Sequence, residues 1–172
     1  MRRLLTWDYS DPGGYFITFV TYKRRKILGQ LVNGKLSWNP PAYICQYYWR
    51  QLAKENPRCA LDAFVIMPDH VHGIIWIKDM PRGVQGSLIH ESVNEERESA
   101  RSRRHMMLGL LIGKFKMQTA KHVNLLNGTT GSSLWKKGYY ERIIHNDRAL
   151  WNIRAYIANN PKKWEKKYGR YT

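Results

Sequence analysis

Two histidines one residue apart, His70 and His72, sit in the run Ile66-Met67-Pro68-Asp69-His70-Val71-His72-Gly73-Ile74-Ile75-Trp76. The run has a strand's composition, and side chains at i and i+2 of a strand point to the same face. Two imidazoles so placed can grip one divalent cation from one side. Further positions stay open for water, a third protein ligand and a substrate oxygen, which is the layout of a catalytic metal site rather than a closed structural one. Taken alone, the spacing leaves a second reading open, in which the two are unrelated histidines satisfied by hydrogen bonds.

A second pair lies near the other end of the chain. Tyr156 and Asn160 fall at i and i+4 of an expected helix, so both project from nearly one face. Placed over the imidazoles, that face would add a phenol nucleophile and a neutral oxygen ligand. A phenol ionises only near pH about 10, so it needs a cation or a base to act well as a nucleophile. Two imidazoles and an amide oxygen suit Mg2+ or Mn2+, with zinc left open by residue type. Judged alone, Tyr156 reads first as a helix tyrosine with its ring at the core's edge and its hydroxyl in water.

The elements that must position these groups can be read from turns and periodicity. Asp11-Pro12-Gly13-Gly14 reads as a turn and the aromatic, β-branched run from Tyr15 to Tyr22 as a strand. A short hairpin is expected around Asn33-Gly34. Pro40-Pro41 opens a helix to about Lys54, with Ala42, Cys45, Tyr48, Trp49 and Leu52 at helical spacing. Residues 61–67 and 70–77 read as antiparallel neighbouring strands. The glycine-containing, mixed-charge stretch 79–105 reads as a flexible loop. From Met106 to about Leu126, Leu108, Leu111, Ile112, Phe115, Thr119, Val123 and Leu126 mark an amphipathic helix. Short pieces follow at Leu134-Trp135 and 141–145. Asn146-Asp147 then caps a last helix, expected to close at Asn160-Pro161. This order predicts one α+β domain over residues 1–172, a ferredoxin-like split βαβ with helices on an antiparallel sheet.

Charge says most about partners. The 172 residues carry 29 Lys plus Arg against 13 Asp plus Glu, a formal net charge of +16. Such an excess makes a phosphate backbone the default partner. The basic residues cluster, as in Lys23-Arg24-Arg25-Lys26, Arg101-Ser102-Arg103-Arg104 and Lys136-Lys137, and aromatics lie among them. Lys114, Lys116, Lys136 and Arg142 are candidate backbone contacts. Trp135 and Tyr139 could stack on unpaired bases, with core packing the plainer role for Trp135. Asp69 reads as a turn residue and His145 as structural or phosphate-contacting. Cys45 and Cys59 have no metal or disulfide spacing and suit packing in a reducing cytosol. The apolar stretch at the start is too short for a signal peptide, and no run reaches membrane-spanning length. A cytoplasmic, nucleoid-associated protein is expected.

Several stretches, taken in order, resemble the single-tyrosine HUH transposases, of the insertion-sequence type and its relatives associated with repetitive extragenic palindromes. They are Asp8-Tyr9-Ser10, Gly14-Tyr15-Phe16-Ile17-Thr18, the 65–75 run around the histidines, Gly113-Lys114-Phe115-Lys116, Leu134-Trp135, Tyr139-Tyr140-Glu141-Arg142-Ile143-Ile144, and Tyr156-Ile157-Ala158-Asn159-Asn160-Pro161. The resemblance implies an HUH nuclease fold acting on single-stranded DNA with hairpins. It makes His70 and His72 the metal pair, Tyr156 the nucleophile, and Asn160 the polar residue completing the metal site. The implied reaction joins Tyr156 to a 5′ phosphate and frees a 3′-hydroxyl, storing the bond energy for rejoining. It leans slightly to a monomer, with a homodimer open. Two rival readings stand beside it: a non-catalytic module binding structured single-stranded nucleic acid on the same fold, and a metal-dependent hydrolase that does not use the tyrosine.

Overall fold

The architecture is that of a computed structural model. It describes residues 13–32, 35–79 and 93–168, the side chains of Val32 and of residues 93–106 excepted. Asp11-Pro12 of the expected Asp11–Gly14 turn, Asn33-Gly34, the Asp8-Tyr9-Ser10 match and the 80–92 part of the expected loop lie outside the described residues; Gly13 and Gly14 are the first residues of a strand rather than part of a turn.

Strands β1 (Gly13–Val20), β4 (Cys59–Ile66), β5 (His70–Ile77) and β6 (Tyr140–Ile144) form one antiparallel sheet in the order β4-β5-β1-β6. A hairpin of β2 (Gly29–Val32) and β3 (Lys35–Trp38) stands apart. Helices α1 (Pro40–Lys54), α2 (Val93–Asn127) and α3 (Asp147–Tyr168) cover the sheet. This is the ferredoxin-like α+β arrangement, with β1 central between β5 and β6.

Strand alternation divides the molecule into two layers. Tyr15, Ile17 and Phe19 of β1, with Val71, Ile75 and Ile77 of β5, face α1 and α2 in the larger core. Phe16 and Ile74 point the other way and meet Ile144, Ile153 and Ile157 under α3. Trp49 of α1 lies so close to the sheet that a Cβ on Gly73 would sit 2.4 Å from its ring. Glycine at 73 is what lets that ring stack on Phe64, centroids 4.5 Å apart.

Two helices exceed their expected bounds. α2 begins at Val93, so residues 93–105 are helical rather than loop. Glu and Ala are good helix formers, and here Glu95, Glu96 and Glu98 precede Arg101, Arg103 and Arg104, the order a helix dipole favours. The stripe itself holds except at its end: Leu126 is exposed. α3 runs through Pro161 to Tyr168 instead of ending there. Proline removes one N–H but does not forbid helical dihedrals for itself, and Trp164 beyond it is held by Lys26, whose Nζ lies 5.2 Å from the ring centroid.

Cys45 and Cys59 are free and buried. Burial pushes their thiols up to about 12 and about 11, so both stay protonated and serve as packing. No helix among the described residues is long and apolar enough to cross a membrane.

Candidate active site

β5 sets the two histidines. It lies between β4 and β1, with His70 opposite Val20 and His72 opposite Thr18. Both rings point to the α3 side, their centroids 4.6 Å apart. His72 is 5% exposed, stacks on Phe16 at 5.3 Å, and pairs its Nδ1 with the Thr18 hydroxyl at 2.8 Å. Burial, helped by neighbouring His70, drives its pKa down to about 3, so the ring is neutral near pH 7. In the tautomer whose Nδ1–H donates to Thr18, the lone pair is on Nε2.

His70 is oriented differently. Its Nδ1 meets Asp69 Oδ1 at 2.5 Å, and the Arg24 guanidinium donates to Asp69 Oδ2 at 3.2 Å. Burial alone would raise the Asp69 carboxyl. The hydrogen bonds and charges of His70 and Arg24 outweigh it and hold the group below the ordinary carboxylate range. A carboxylate on Nδ1 fixes the ring and leaves Nε2 facing outward, the usual support for a metal-binding imidazole. Asp69 is thus a positioning group, a role that reading it as a turn residue missed. Its place immediately before the first histidine was the available signal.

α3 carries the other half. Asn146 caps it, its Oδ1 accepting from Ala149 N–H at 2.8 Å. Ile153 and Ile157 pack on the sheet. Arg154 forks onto Asp62 of β4, Nε to Oδ1 at 2.9 Å and a terminal nitrogen to Oδ2 at 2.6 Å. Asp62 sits in a register shift between Leu61 and Phe64, so the irregularity supplies the carboxylate that anchors the helix. The anchored helix places the Tyr156 hydroxyl 3.4 Å from His72 Nε2. Tyr156 is 38% exposed, so a substrate can reach it, while Asn160, one turn on, is 6% exposed. Lys163 Nζ lies 5.1 Å from the Tyr156 ring centroid.

The expected nucleic-acid contacts separate into two groups. Trp135 is buried, donates Nε1–H to Thr119 at 2.8 Å and packs on Phe19 and Phe115, so it is core rather than a stacking platform. Tyr139 packs against the same larger core. Lys116 donates to the carbonyls of Lys136 and Gly138, both at 2.8 Å, and burial lowers its pKa. Lys114 is paired with Glu55 on the α1–α2 side. Lys136 and Arg142 remain exposed. Arg142 is opposite Phe16 and Tyr140 opposite Thr18, which puts both on the histidine face. The ring of Tyr140, 38% exposed and 6.4 Å from that of Phe16, was passed over for Tyr139. A one-residue parity choice decided which tyrosine flanks the site.

No family model matches the chain. An uncharacterized protein of Haemophilus influenzae (strain Rd) is 27% identical over 163 residues, which is 95% of this chain and 88% of that protein. A solved structure of a REP-associated tyrosine transposase bound to a REP hairpin superposes with a TM-score of 0.54 at 19% identity, covering 95% of this chain and 74% of that one. The chain therefore has the fold of a REP-associated tyrosine transposase.

Proposed function

We propose that the protein is a transposase-type transesterase that cuts and rejoins single-stranded DNA at hairpin-flanked sites through a 5′-phosphotyrosine on Tyr156. The observation that carries this reading is the approach of the Tyr156 hydroxyl to His72 within one chain, 3.4 Å, on the face that also bears His70. A core tyrosine needs no such placement.

The donor set fits a divalent cation. His72 is neutral and its Nε2 meets the Tyr156 hydroxyl at 3.4 Å, His70 has its Nδ1 occupied by Asp69, and the two Nε2 atoms would be the donors to the cation. Among the described residues no group of three or more His, Cys, Asp or Glu side chains could hold a metal; the third protein donor in this reading is the Asn160 amide, as the family resemblance implies. His70, His72 and Asn160 would hold Mg2+ or Mn2+, which supplies charge neutralisation at the scissile phosphate. Tyr156 attacks phosphorus: its oxygen–phosphorus bond forms as the bond to the 3′ oxygen breaks. The phenol proton is lost and the leaving oxygen gains one. Lys163 beside the ring adds positive charge where the anionic phosphate must approach. Rejoining is the reverse, a 3′-hydroxyl displacing Tyr156, and it consumes no nucleotide. Hairpin DNA as partner follows from the basic surface and from the hairpin held by the structural neighbour.

The test is a covalent-adduct assay with labelled hairpin oligonucleotides and Mn2+. A 3′-end label should migrate with denatured protein and a 5′-end label should be released. Binding without adduct across sequences and metals would leave only a binding module. Cleavage surviving Tyr156→Phe would point to activated water instead.

A further inference from the structure

The basic residues at 23–26 and those at 136–137, far apart in sequence, belong to one surface. Tyr22 N–H donates to the Leu134 carbonyl and Lys136 N–H to that of Val20, both at 2.8 Å. The Arg25 guanidinium donates to Ser133 O at 2.7 Å, and Thr21 bridges Trp135. Lys116 holds the second segment through the carbonyls of Lys136 and Gly138. Lys23, Arg24, Arg25, Lys26, Lys136 and Lys137 are all exposed, and neither segment contains an acidic residue.

This surface abuts the histidines. Thr21, fully buried, donates its N–H to the Asp69 carbonyl at 2.9 Å, and its hydroxyl lies between the carbonyls of Arg25 and Asp69, at 2.8 and 3.0 Å. Arg24 reaches the Asp69 carboxylate. Lys26 lies over Trp164, in the part of α3 just past Tyr156. The turn is also held in an unfavourable backbone form: Lys23 and Arg24 have φ of 53° and 52°, the left-handed region that side-chain-bearing residues avoid. Such strain gathers where a structure fixes a functional segment.

We propose that the 22–26 turn and the 133–138 loop form a single platform that binds the phosphate backbone of the single-stranded DNA next to the cleaved phosphate. The partner is taken from the reading above, but the platform does not depend on Tyr156 chemistry. Arg24 and Arg25 already serve Asp69 and Ser133, so Lys23, Lys136 and Lys137 are the cations to remove. With a net charge of +16, loss of any three lysines weakens DNA binding somewhat, and the test must separate place from total charge.

Full-length Tyr156→Phe protein serves as the parent, so that no turnover occurs. Its affinity for a hairpin-flanked single-stranded oligonucleotide is measured by fluorescence anisotropy across salt. K23Q/K136Q/K137Q is compared with the charge-matched K54Q/K78Q/K121Q, drawn from exposed positions elsewhere on the fold. The platform triple should bind at least about tenfold more weakly than the control, with its log–log salt slope reduced by about 2, for three lost single-strand phosphate contacts. Equal losses in the two triples, or none in either, would overturn the platform. Parent binding without adduct formation in the wild type would overturn only the Tyr156 chemistry. Adduct formation alongside an unweakened platform triple would overturn only the platform.

Discussion

The two faces of the sheet differ in kind although they share every strand. The α1–α2 face is aromatic and closed, with Phe115 touching the rings of Phe19, Trp49 and Trp135. The α3 face has a smaller apolar patch around Phe16 and Ile74, and past it the polar groups Thr18, His70, His72, Tyr156 and Asn160. β1 and β5 thus give the larger core one parity of their residues and the candidate site the other. A rigid thick layer behind the sheet lets the thin layer keep polar groups half-dressed for a ligand.

That contrast can be broken from either side. The largest effect should come from Tyr156→Phe, which deletes one oxygen from the thin face. Adduct formation should fall by about 10³-fold or more while the melting temperature moves by less than about 2 °C. Phe115→Ala should do the opposite. Its ring is 1% exposed, so truncation should cost about 3–5 kcal/mol in urea denaturation while the folded fraction keeps the wild-type adduct rate. A fall in rate per folded molecule would show that the two faces are not separable.

Asp69→Asn tests the support behind His70. Cation affinity, read by titrating Mn2+ against adduct formation, should weaken about 10- to 100-fold. The smallest effect concerns the anchor of α3. Hydrogen bonds from Arg154 hold the Asp62 carboxyl below its ordinary value of 3.8. A depressed acid stabilises the fold above its unfolded value, and that contribution disappears as pH falls through the folded one. Wild type should therefore exceed Asp62→Asn in urea resistance at pH 6, and the gap should close toward pH 3. A gap of equal size at both pH values would mean that the ion pair is not its source.

Much of this division was legible in the sequence because strands and caps are local. β5 occupies the expected residues 70–77, and α1 the expected 40–54, announced by paired prolines and an apolar stripe. The histidine pair follows from i, i+2 parity alone. What stayed hidden depends on non-local partners. Nothing near Trp135 says that its indole meets Thr119, and nothing near Lys116 says that its ammonium closes a loop. The chain from Arg24 to Asp69 spans 45 residues. The first turns of α2 were hidden because mixed charge describes a solvated helix as well as a loop.

One consequence follows from finding Tyr156 and His72 on the same polypeptide. Their meeting is unimolecular, governed by how α3 is tethered rather than by how many copies are in solution. On the proposed reading, strand scission by a bound complex should then be first order and indifferent to dilution.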